Sequence, residues 1–89
     1  MKFKERIKKY KELINRADNY VIAIDGTENI IGYLTSEGVR ISNNFNQSGS
    51  YIYDEIRDVL LSALNDRLMD LQSNLTITRT QITTMEEEE

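Results

Sequence analysis

Near the C-terminus, positions 61, 64, 68, 71, 75, 78, 82 and 85 alternate at spacings of three and four residues: Leu61, Leu64, Leu68, Leu71, Leu75, Thr78, Ile82 and Met85. Such a register puts one stripe on one side of a helix, and seven of its eight members are apolar. Neither Gly nor Pro interrupts residues 50–89. A stripe this long cannot be left in water, so the chain needs a second surface to cover it.

With only 89 residues the chain has room for a single domain. Its 39% apolar and 29% charged content is that of an ordinary globular protein. Cys, His, Pro and Trp are absent. Without Cys there is no disulfide, thiolate zinc site or thiol nucleophile, and without His no Ser–His–Asp triad and no imidazole ligand. A non-enzymatic protein without cofactor or metal is therefore expected. No apolar run approaches the ~20 residues that span a bilayer, and a cytoplasmic location is expected. Eleven Ile and eight Asn against three Ala suggest AT-rich coding, as in a low-GC bacterium or its phage.

Charge is segregated. Residues 1–16 hold seven basic and two acidic side chains, whereas residues 17–89 hold four basic and thirteen acidic ones. This asymmetry invites either internal pairing of the two ends or two separate partner surfaces. A basic first helix could follow phosphates, but the remainder would repel a polyanion, so neither nucleic acid nor membrane is an expected partner.

Local patterns suggest an α+β fold. Phe3, Ile7, Tyr10, Ile14 and Ala17, widened by Leu13, form an amphipathic helix over residues 2–17. The β-branched run from Tyr20 to Asp25, the segment Ile30 to Thr35 around Gly32, and Val39 to Ser42 read as three antiparallel strands of a meander. The turns are Asp25-Gly26-Thr27-Glu28-Asn29 and Ser36-Glu37-Gly38. Asn43 to Ser50 reads as a polar loop around Phe45.

A long helix follows, with Ser50 as N-cap and Ile52, Ile56, Val59 and Ala63 as the stripe facing the sheet. Residues 75–84 contain five Thr and two Ile, which suit a fourth strand, but the unbroken register of the leucine seam favours continued helix. The domain is thus placed at residues 1–74, with residues 75–89 as an acidic-tailed extension.

Asp25-Gly26-Thr27 resembles the phosphatase loop of the haloacid dehalogenases, but Ala23 stands where their nucleophilic Asp belongs, so a turn is the better reading. Asp54, Glu55, Asp58, Asp66 and Asp70 fit no metal-loop spacing. The stretch from Leu64, ending Gln81-Ile82-Thr83-Thr84-Met85-Glu86, resembles the C-terminal coiled coil of flagellar cap proteins. Those often end Gln-Phe-Thr-x-Met-Glu, so Ile82 departs from the pattern. Small size, acidity and a helix–meander–helix order are similar to phage-encoded inhibitors of Cas nucleases, a resemblance without a motif and so without residues to carry over.

Two surfaces stand out as candidates. Leu61, Leu64, Leu68, Leu71 and Leu75 would self-associate, giving a homodimer. Asp66, Asp70 and Glu86, Glu87, Glu88 and Glu89 would offer an acidic face to a host protein. The expected function is that of a phage or mobile-element interaction protein that binds and inhibits a host defence or DNA-processing protein. The alternative is an oligomeric scaffold built on the C-terminal coiled coil.

Overall fold

The computed structural model describes residues 2–35 and 47–88. It consists of two helices, α1 (Phe3–Thr35) and α2 (Gln47–Glu87), packed against each other. The expected α+β fold with a three-stranded meander is contradicted. Two of its strands, Tyr20 to Asp25 and Ile30 to Thr35, lie inside α1, as does the turn around Gly26. The third strand, Val39 to Ser42, and residues 43–46 of the polar loop fall outside the described residues, and the loop's other half, residues 47–50, is the start of α2. Ser50 is no N-cap, because α2 begins at Gln47.

The physical reason is a heptad register that the β-branched composition masks. In α1, positions 6, 10, 13, 17, 20, 24, 27, 31 and 34 alternate at four and three residues. Leu13 and Ala17 are buried, and Arg6, Tyr10, Tyr20, Ile24, Thr27, Ile31 and Leu34 are half-buried. Val21, Ile22, Ile30 and Tyr33, the residues that made both faces look apolar, are left largely exposed. The N-terminal stripe is likewise shifted from expectation. Phe3 is 77% and Ile7 38% exposed, whereas Leu13 is 3%.

Gly26 and Gly32 do not break the helix. No residue in the described backbone has positive φ, and open space surrounds the point where each glycine would carry a Cβ. Their cost to α1 is the entropy of an unconstrained backbone.

In α2 the seam keeps its register through residues 75–84, so that segment is helix and no fourth strand forms. Leu71, Leu75 and Thr78 are buried, while Leu61, Leu64, Leu68, Ile82 and Met85 are half-buried. The threonines are accommodated by turning their hydroxyls onto the helix. Thr76, Thr78, Thr80 and Thr84 each donate to the carbonyl four residues back, at 2.8–3.0 Å. Thr78, the polar member of the seam, is thereby buried with its hydrogen bond made. Thr27 does the same in α1, donating to the Ala23 carbonyl at 2.7 Å.

The helices run antiparallel, which places Arg6 and Tyr10 beside Met85 and Glu86. The hairpin measures 65 × 17 × 16 Å, with a radius of gyration of 19.8 Å, against about 12 Å for a compact domain of this length. This is a rod, one helix pair thick.

Two substitutions separate helix from meander. Gly26→Ala and Gly32→Ala should each stabilise the chain by about 0.5–1 kcal/mol in thermal or urea melts, because alanine restricts the unfolded chain and favours the helix. In a turn or bulge the same changes would destabilise. Leu71→Ala, at the tightest point of the seam, should cost about 2–5 kcal/mol.

Candidate functional site

The antiparallel arrangement brings together the two ends that differ most in charge. Each helix end is electrostatically mismatched on its own. Lysines crowd the N-terminus of α1, where the helix dipole is positive, and glutamates the C-terminus of α2, where it is negative. Side by side, each supplies what the other lacks. The Arg6 guanidinium donates through Nη2 to the backbone carbonyl of Met85, one of the last carbonyls of α2, which also accepts from the Glu88 N–H at 3.3 Å. The Tyr10 hydroxyl donates to Glu86 Oε1 at 2.8 Å. That hydrogen bond, with partial desolvation and the nearby negative charge, raises the Tyr10 phenol above its ordinary value.

Two shallow grooves flank this junction. One, of about 560 Å³, is lined by Phe3, Arg6, Ile7, Tyr10, Met85 and Glu86. The other, of about 460 Å³, is lined by Arg6, Lys9, Leu13, Gln81, Met85 and Glu88. They mark the two sides of the hairpin. Ile7 and Glu86 border one side, Lys9 and Gln81 the other.

Heptad repetition carries these sides along the rod. Ile14 and Val21 lie one and two heptads from Ile7 and extend its side as an apolar strip. Ile30 lies three heptads from Lys9, and Leu60 three heptads from Gln81. At the turn end, the Lys9 side therefore becomes apolar. Carried along the antiparallel register of Arg6 and Met85, Ile30 and Tyr33 of α1 fall level with Ile56, Leu60 and Ala63 of α2, with Tyr33 67% and Leu60 45% exposed. Of the stripe expected to cover a sheet, Ile52, Ile56, Val59 and Ala63, the last three are exposed, and the Ile52 side chain lies outside the described ones.

The self-association candidates Leu61, Leu64, Leu68, Leu71 and Leu75 face α1 of the same chain, so the cover their seam requires is supplied internally. The acidic candidates are not contiguous. Asp66 and Asp70 are exposed one turn apart, but Asp70 and Glu86 are separated by sixteen residues, about 24 Å of helix. Glu86 is engaged by Tyr10, Glu87 and Glu88 are exposed, and Glu89 lies outside the described residues. Among the described residues no three metal-capable side chains gather, and no helix is long and apolar enough to cross a membrane. The turn-end patch was missed because Ile30 and Tyr33 were read into one strand, Ile56 and Ala63 into a sheet-facing stripe, and Leu60 into neither. The signal that could have found it is the second apolar set left over once each heptad seam is removed.

Comparison with protein-family models, curated proteins and solved structures returns no match.

The Tyr10–Glu86 bond has a pH signature. A phenol donates only while protonated, and its folded pKa is raised. Its contribution is therefore present in full below the ordinary tyrosine value of about 10 and is lost as pH climbs through the raised one. Tyr10→Phe should melt below wild type near neutrality, and the difference should vanish in strong alkali. A difference that persists there would assign the loss to packing.

Proposed function

We propose that the protein is a non-enzymatic structural module, a rod that assembles with other helices through apolar strips left on its surface. The observation that carries this reading is the presence of apolar patches on opposite sides of the hairpin. Ile7, Ile14 and Val21 flank one side toward the termini, and Ile30, Tyr33, Ile56 and Leu60 flank the other toward the turn. A rod with two such faces can be joined at more than one place, which suits an assembly component better than a capped, single-surface inhibitor. Capture of a host protein by acidic charge is less well supported, because its carboxylates fall into two separate groups.

Sedimentation velocity over a range of concentrations, alongside affinity capture from a low-GC bacterial lysate, tests the proposal. Mass-average size should rise with concentration, and Ile14→Glu or Leu60→Glu should reduce it. A monodisperse monomer that captures one foreign protein stoichiometrically, and loses it on Asp66→Asn with Asp70→Asn, would replace assembly with inhibition.

A further inference from the structure

The turn-end patch is a surface of defined composition. Ile30, Tyr33, Ile56, Leu60 and Ala63 come from both helices, and none of them is charged. Arg57, between Ile56 and Leu60, borders the patch and lies 4.0 Å from Asp58, and Arg67 and Asp70 follow one and two turns beyond Ala63. The basic end of the rod lies far off, since Leu60 and Met85 are twenty-five residues apart, about 38 Å along the helix.

We infer that this patch binds the same patch on a second copy of the chain, the two rods overlapping at their turn ends around a twofold axis to form a short four-helix bundle. The inference rests on the assembly reading and gives it a site and a partner. Area is the first support. The chain exposes 7168 Å², whereas a compact monomer of 10.4 kDa exposes about 5,400 Å². That excess belongs to the elongated rod as a whole, of which a standard interface would ask roughly 800 Å² from each partner. The thin core is the second. Among the described residues only Leu13, Ala17, Leu71 and Leu75 are buried apolar side chains, and no disulfide compensates. A uniform patch opposite itself is the simplest closed interface, because an isologous contact needs no second complementary surface.

Electrostatics makes this geometry distinguishable from its rival. Residues 17–74 carry nine acidic and three basic side chains, while the basic residues concentrate at positions 1–16. Overlap at the turn ends brings two acidic halves together, so added salt, which screens over ~10 Å at 0.1 M, tightens the dimer. A full-length antiparallel dimer would set each terminal end, with eight basic and six acidic side chains over residues 1–16 and 75–89, beside an acidic half, and salt would weaken it.

The natural absence of cysteine allows a direct test on the full chain. Single-cysteine variants Tyr33→Cys and Ile14→Cys are oxidised under identical mild conditions. Tyr33→Cys should give a covalent dimer rapidly and Ile14→Cys slowly, and wild type should sediment as a dimer whose dissociation constant falls severalfold with salt. Leu60→Glu should shift it to monomer; if that variant also unfolds, the cysteine pair still decides. Faster cross-linking through Ile14→Cys, or a dimer that weakens with salt, would overturn the turn-end contact while leaving assembly standing. A helical wild-type monomer at high micromolar concentration would remove both.

Discussion

Everything in this molecule depends on the seam along which α1 and α2 meet. Each helix contributes residues at alternating spacings of three and four, and Leu13, Ala17, Leu71, Leu75 and Thr78 are the residues buried there among those described. Neither helix could stand alone on its propensity. α1 carries two glycines and several β-branched residues, and α2 a run of threonines, all poorer helix formers than alanine. The seam overrides these local preferences because mutual burial rewards helix along its whole length, while the alternatives would interrupt it.

That balance explains which parts of the fold were legible in the sequence. Leu61 to Met85 could be read as one helical stripe because their neighbours are mostly polar and nothing breaks the period. The same period exists from Arg6 to Leu34 but is obscured. Thr27 occupies a seam position, Gly26 and Gly32 resemble turn markers, and Val21, Ile22, Ile30 and Tyr33 add apolar residues off the seam. Together they imitate strands with two apolar faces. Local chemistry pointed to a sheet, and only a register counted across both glycines reveals the helix.

The candidate surfaces follow a similar pattern. The charge asymmetry was readable as a reason for the two ends to meet, and Arg6 and Tyr10 do reach Met85 and Glu86. The seam leucines were identifiable as an interface, but whether their partner was a copy or the chain's own first helix turned on the mistaken sheet. With a sheet present, α1 is occupied elsewhere. Without it, α1 is free to cover α2, and the surplus apolar surface moves to the outside of the hairpin at its turn end.

The position of the tightest packing bears on how the hairpin forms. Leu13 and Ala17 belong to the half of α1 remote from the turn, while Leu75 and Thr78 lie correspondingly deep in α2, so residues that exclude water most completely are about sixty apart in the chain. A hairpin that zipped from its turn would first join the half-buried layers and gain little before reaching them. The entropy of closing a loop rises only slowly with its length, so an early long-range collision between the two helices loses little by comparison. Most of the burial that offsets the cost of ordering both helices is therefore made between residues distant in the chain.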